Sequence, residues 1–501
     1  MDTFGSLMDG FAAALTPQNL LFALIGCLLG TILGLLPGIG STAGMAILMP
    51  LTLSMDPAGA IIMMAAIFYG GAYGGTITSV LLNIPGEGES AVTCIDGYQM
   101  TLRGRAGVAL TTAGIGSFIG GTVATAALVI AAEPLSELGL RIGPPEFFSL
   151  ILIGLALLVG LVGRSVLLGL ISACLGLLIA MVGIDPVVGM PRFTFGEPHF
   201  FDGISYVPVL VGLFGLGELL ATSGDAAPRP TAPRLRDLRP NRTDVRRSAP
   251  AIARGTVIGG VIGLIPGVSS AISSLLAYST ERRVSRHRDE LGSGAIEGVA
   301  APETANNAHS NAAFIPLFAL GIPASPAIAV LMGAFLQNGL TPGPTLFTEA
   351  PDLVWAVIAS LFVGNLLLLL LNVPLVSLWT RILAIPYSVL RAVIFAFIII
   401  GSYAVSSSVI DIYVMVFFGL VGFVFRQVGL PLAPLVLTLI LGPFLEGALR
   451  ESLQLSRGSF SIFVDRPLSL VFLVLASVIL LGSVLGARLK RKAGLPTDAE
   501  V

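Results

Sequence analysis

Between Pro302 and Pro326 the chain reads PETANNAHSNAAFIPLFALGIPASP. An acid, Glu303, three asparagines, Asn306, Asn307 and Asn311, and a histidine, His309, crowd together, and the helix breakers Pro316 and Pro323 follow. Carboxamides can donate to an anion and accept from a cation, a carboxylate can hold a cation, and an imidazole can carry a proton. Long apolar runs flank the stretch on both sides. At membrane depth an unpaired backbone group costs several kcal/mol, so broken polar chain persists there only when buried in protein or lining a watery cavity. The stretch therefore reads as a site. Between Tyr69 and Gly97 the first half carries an echo, YGGAYGGTITSVLLNIPGEGESAVTCIDG, in which NIPGEGESAV parallels GIPASPAIAV. The echo points to an internal duplication.

These residues must be positioned by membrane helices. Of the 501 residues 55% are hydrophobic and only 11% charged, and the mean hydropathy is +0.93. Soluble domains carry roughly 25% charged residues, so the chain is read as an all-α polytopic integral membrane protein. Its first ten residues, MDTFGSLMDG, lack the basic stretch of a cleavable signal, and the first apolar run is expected to be retained. Cys27, Cys94 and Cys174 form no CxxC or Cys/His pattern and are expected to be inert thiols, with no metal site. The net charge of -2 says little, because orientation follows the placement of basic residues. These gather at Arg103 and Arg105, at Arg164, from Arg229 to Arg254, from Arg282 to Arg288, and in the tail from Arg488 to Lys492. Those segments are assigned to the cytoplasm; the N-terminus and the acidic loops near Asp56, Glu146, Asp202 and Asp352 are assigned outside.

From Arg254 to Glu281 the chain leaves one basic cluster and returns to the next within about twenty-five residues, where two full spans need about forty. A re-entrant hairpin is expected, with its tip at GLIPGVSSA, Gly263 to Ala271. GLLPGIGSTA, Gly34 to Ala43, has the same signature but no basic flanks, so it should enter from the opposite side. Each hairpin precedes a broken span, interrupted at Asn83 to Gly88 and near Gly321 to Pro326. Plain spans follow, four in the first half and about five in the second. The expected fold is two inverted repeats, each with a re-entrant hairpin and a broken transmembrane helix, giving about 11–12 spans. The expected divisions are a first repeat over 1–222, a cytoplasmic Arg/Pro-rich linker over 223–254, a second repeat over 255–487, and a cytoplasmic tail over 488–501.

Broken helices offer free N–H groups to an anion and free carbonyls to a cation. No Arg or Lys lies inside either repeated motif, so Ser41, Thr42, Asn83, Ser269, Ser270, Asn306, Asn307 and Asn311 are the substrate-binding candidates. Pro37, Gly38, Ser41, Pro266, Gly267, Ser270 and Glu303 are the candidates for a coupling cation. Each has a plainer alternative. Small residues such as those in GGAYGGT also serve close helix packing, and the asparagines would equally suit an interhelical hydrogen-bond network. Glu303 would complement a helix dipole if a helix begins there. His309 would serve as a packed, hydrogen-bonded residue, and Asp96 as a turn cap.

At these residues the chain resembles the large membrane subunit of the tripartite tricarboxylate transporters, the TctA family. The matching segments are GLLPGIGSTA, YGGAYGGTITSVLLNIPG with TCIDGYQM, GLIPGVSSA, APETANNA running into IPLFALGIP, and LTLILGPFLEGALRESL. The resemblance implies an importer of tricarboxylates or related organic acids in the bacterial inner membrane, driven by a Na+ or H+ gradient. It implies two partners, a small four-span membrane subunit and a periplasmic solute-binding protein. No other cofactor and no nucleic acid is expected. His309, Ser310 and Asn311, and the acidic GEGES after Pro85, depart from the family's usual small, neutral residues. A stand-alone organic-anion symporter or exchanger, and an intramembrane protease pairing His309 with a serine, are the alternatives. Against the protease, no GxSxG or HExxH appears, and no P-loop is present to support ATP hydrolysis.

Overall fold

The computed structural model describes residues 3–36, 40–139, 142–161, 165–185, 189–221, 235–343, 345–383 and 387–492. These residues are helical throughout apart from turns, loops and one antiparallel pairing of β1 (Gly183–Ile184) with β2 (Pro191–Arg192). The first half runs through α1 (Thr3–Ala14), α2 (Pro17–Gly34), α3 (Gly40–Leu48), α4 (Pro57–Leu82), α5 (Thr93–Leu102), α6 (Ala106–Gly139), α7 (Pro144–Leu161) and α8 (Val166–Ala180). It closes with a composite helix of α9 (Tyr206–Leu210), a π-helical segment Val211–Leu216, and α10 (Gly217–Ala221). The second half comprises α11 (Arg242–Gly263), α12 (Ser270–Val284), α13 (Glu297–Ala312), α14 (Phe314–Leu320), α15 (Pro326–Gln337), α16 (Leu346–Glu349), α17 (Pro351–Asn372), α18 (Val376–Ile382), α19 (Tyr387–Ser406), α20 (Val409–Gln427), α21 (Leu432–Leu455), α22 (Ile462–Asp465) and α23 (Pro467–Lys492).

Local chemistry explains the boundaries. Asp56 caps α4 by accepting from Gly59 N–H at 2.9 Å, with Pro57 in the first turn. At the other end Asn83 takes a left-handed φ of 58°, and Gly321 does the same after α14 at 66°. Both precede Ile-Pro, so the two breaks are built alike. The segment expected to be a linker is helical from Arg242 onward. Asn241 and Asp244 form a capping box that starts α11 at Arg242, and Arg247 and Arg254 pair with Glu297 and Glu281. Capping and charge pairing outweigh Pro250 inside the helix, so 242–254 belongs to the arm leading to the second tip. The segment expected to be the tail begins within α23, which continues to Lys492.

Six described helices are long and apolar enough to cross a membrane: α2, α4, α6 (over Ala106–Ala132), α17, α20 and α21. Six shorter apolar helices accompany them, against the 11–12 spans expected. The protein is thus a multi-pass membrane protein. At its centre lie α4, enclosed by protein, and α13, in which all 16 residues are buried despite its asparagines and acids.

Glycine lets neighbours reach these two helices. Gly26, Gly30 and Gly34 of α2 face α4, and Gly255, Gly259 and Gly263 of α11 face α13 with the same four-residue spacing. A Cβ on Gly30 would collide with the Ile67 carbonyl oxygen, and one on Gly259 with that of Ala305. Only glycine permits such backbone contact. The halves are also pinned together. Asp96 of α5, fully buried, accepts from the Tyr278 hydroxyl at 2.9 Å and from Gly292, Gly294 and Ala295 N–H at 2.7–2.9 Å. It serves as the cap of a turn in the opposite half.

Candidate functional site

The polar residues of α13 divide between two faces. Glu303, Asn307 and Asn311 repeat every four residues along one face, while Asn306, His309 and Ser310 lie about 100° around the helix. The first face is bonded to neighbouring helices. Glu303 accepts from the hydroxyls of Thr76 on α4 at 2.6 Å and Thr93 on α5 at 2.5 Å. Asn307 donates to the Ser117 hydroxyl on α6 at 2.7 Å, and Asn311 accepts from Thr125, also on α6, at 3.2 Å. Glu303 sits inside α13 rather than at a helix start, so the dipole role does not apply.

The second face meets a cavity of about 540 Å³. Its wall draws on four stretches: Gly40 to Ala43 at the start of α3, Pro85 to Glu89 in the break after α4, Gly267 to Ser270 between α11 and α12, and Ala324 to Ala327 leading into α15. Asn306, His309 and Ser310 complete one side, and Phe214, Glu218 and Arg426 come from the composite helix and α20. Hydrogen bonds lock the segments to one another. Glu87 accepts from Ser41 N–H at 2.6 Å and from its hydroxyl at 3.1 Å. Glu89 accepts from the Ser270 hydroxyl at 2.9 Å, joining the first break to the second tip. Gly267 N–H donates to the Ala324 carbonyl at 2.9 Å.

Three helices, α3, α12 and α15, begin at this cavity. Their free N–H groups favour negative charge. The protein's own glutamates meet the first two starts, Glu87 at Ser41 and Glu89 at Ser270. At the start of α15 Ser325 accepts from Ile328 N–H at 3.3 Å. Asn306 is 1% exposed, and neither its Nδ2 nor its Oδ1 has a protein partner. Buried carboxamides are nearly always hydrogen-bonded, and on this wall the cavity has room for a water or a ligand as the partner.

Of the residues singled out by type and spacing, Ser41, Thr42, Gly267, Ser269, Ser270 and Asn306 line the cavity. Asn83, Asn307, Asn311, Pro266 and Glu303 do not; Asn83 ends α4, where its tolerance of the left-handed conformation is used. Pro37 and Gly38 lie outside the described residues. His309 lines the wall, and its Nδ1 lies 2.8 Å from the Ser273 hydroxyl. Ser273 is fully buried and absent from the wall. Spacing alone missed Glu218 and Arg426. The available signal was an ionisable residue in an otherwise apolar span, which is a functional candidate by default.

A protein-family profile described as the tripartite tricarboxylate transporter TctA family matches residues 20–437. An uncharacterized 52.8 kDa protein in the TAR-I ttuC' 3'region of Agrobacterium vitis is 45% identical over 483 residues, covering 96% of each chain. An uncharacterized protein in the TAR-II ttuC' 3'region of the same organism is 46% identical over 224 residues, 44% of this chain and 93% of its own. No solved structure matches.

Proposed function

The chain belongs to the tripartite tricarboxylate transporter TctA family, and on that premise we propose that it is the large permease subunit of a cation-driven carrier that imports a carboxylate through the cavity described above. The observation that carries this reading is the composition of the wall. The starts of α3, α12 and α15 and the break after α4 meet there around a buried carboxamide without a protein partner. Their likeness in sequence and local build supports two inverted repeats with re-entrant hairpins, related by a pseudo-twofold axis through the cavity. Family membership supports delivery by a periplasmic binding protein, a small four-span partner and an inner-membrane location, and the basic residues from Arg488 to Lys492 support a cytoplasmic C-terminus.

Electrostatics supply the reason for ion coupling. The described wall carries three carboxylates, Glu87, Glu89 and Glu218, against one guanidinium, Arg426. A carboxylate about 6 Å from another, at an effective dielectric of about 20, is repelled by about 3 kcal/mol, or roughly a hundredfold in affinity. An anionic substrate therefore binds well only once a cation or proton has neutralised the wall. We place the ion among Ser41, Ser270, Glu87 and Glu89, where oxygens converge, and a substrate carboxylate at Asn306 and the start of α15. Catalysis is the weaker reading, because Ser273 of the Ser273–His309 pair does not reach the cavity.

Uptake of labelled carboxylates into proteoliposomes, with and without the binding protein and under imposed Na+ or H+ gradients, tests the proposal. Accumulation should require one of the gradients. Gradient-independent equilibration would make the chain a facilitator and remove the coupling argument.

A further inference from the structure

Arg426 is the one arginine on the described cavity wall, and it belongs to neither repeated motif. It stands in the last turn of α20, where its Nη1 pairs with a carboxylate oxygen of Glu218 at the start of α10. Its Nε is buried without a hydrogen-bond partner. A guanidinium recognises carboxylates through two parallel N–H donors. The Nε edge of this fork is thus unused, beside a cavity whose wall also holds the unpartnered carboxamide of Asn306.

We infer that Arg426 anchors one carboxylate of the transported acid, and that Glu218 holds the guanidinium until that carboxylate takes its place. The inference rests on the reading of this cavity as the transport site, and it narrows the substrate class. With one acid group at Asn306 and the α15 start, and another at Arg426, the substrate carries at least two carboxylates. Glu218 lies two residues beyond the π-helical segment Val211–Leu216. π-turns are often found at functional sites, and a return of this segment to α-helical winding would rotate α10 about its axis. Such a rotation is the means by which Glu218 leaves the guanidinium. The rival role is a staple, in which the pair merely fastens α10 to α20.

Binding of citrate, succinate and acetate to the purified full-length chain separates the two. Wild type, Arg426→Gln, Arg426→Lys and Glu218→Gln are compared in a sodium buffer at mildly acidic pH, which supplies both candidate ions. Arg426→Gln should weaken citrate and succinate at least about tenfold, the loss expected for a charge-assisted hydrogen bond, and leave acetate nearly unchanged. Glu218→Gln should leave citrate as tight or make it tighter, because it removes a competitor for the same guanidinium. Arg426→Lys keeps the charge without the fork and should fall between wild type and Arg426→Gln. It provides the test if Arg426→Gln does not fold. Citrate affinity within about twofold of wild type in both Arg426 variants would overturn the inference, as would an equal loss in Glu218→Gln and Arg426→Gln. Wild type that binds none of the three acids would overturn the reading of the cavity itself, and the inference with it.

Discussion

Replacing Asn306 with leucine should move stability and binding in opposite directions. The side chain is 1% exposed, and its carboxamide makes no hydrogen bond to protein. A buried polar group left unpaired costs about 1–3 kcal/mol. Leucine has the same branched shape and no polar atoms, and the adjoining cavity can take up its extra bulk, so Asn306→Leu should unfold at the same or a higher temperature, with a gain of up to about 2 kcal/mol. Substrate binding should suffer. A hydrogen bond to a charged group is worth about 1.5–3 kcal/mol, so the variant should lose roughly tenfold to a hundredfold in carboxylate affinity. Thermal unfolding of the purified chain in detergent, with carboxylate titration of the same preparation, measures both. A variant that loses more than about 1 kcal/mol of stability while binding normally would show that Asn306 is scaffold and that the argument from unpaired buried groups fails here.

Asn307 should behave in reverse. Asn307→Ala removes bonds to the Ser117 hydroxyl and the Glu303 carbonyl, so it should lose about 1–3 kcal/mol of stability with carboxylate affinity almost unchanged, read by the same two measurements. Asp96→Ala strips the acceptor from four donors in the other half of the chain; a loss of about 3 kcal/mol or more and poor yield of folded protein are expected, and a melting temperature like that of wild type would contradict the assigned pin. Gly259→Leu drives a side chain into the Ala305 backbone. By thermal unfolding it should cost at least about 1–3 kcal/mol, whereas leucine at Gly260, where a Cβ meets nothing within 4 Å, should be tolerated.

Much of the architecture was legible in the sequence. Apolar runs located helices such as α6, α17 and α21, because a span must be continuously apolar for about twenty residues. Pro and Gly located the breaks after α4 and α14, since a helix interior disfavours proline and the preceding Asn83 and Gly321 take the left-handed conformation. The boundary at Arg242 was not legible from composition. It depends on a capping box and on arginines meeting acids from distant segments, and that favours helix where Pro and Arg alone suggest a loop.

The candidate site divides along the same line. Ser41, Thr42, Ser269, Ser270 and Asn306 could be named from their types and their neighbours, because polar residues at membrane depth must be buried in protein or face a cavity. Which of those two applies to each was left to tertiary packing. Asn306 and Asn307 are adjacent and chemically identical, yet one turns to the cavity and the other to Ser117, since one helical residue is a rotation of about 100°. That choice is made by the glycine-lined approach of α11 and the position of α6, both remote in sequence. In the sequence Arg426 and Glu218 stand out only as ionisable residues in apolar spans; they come from different halves of the chain, and only folding brings their charges together on the cavity wall.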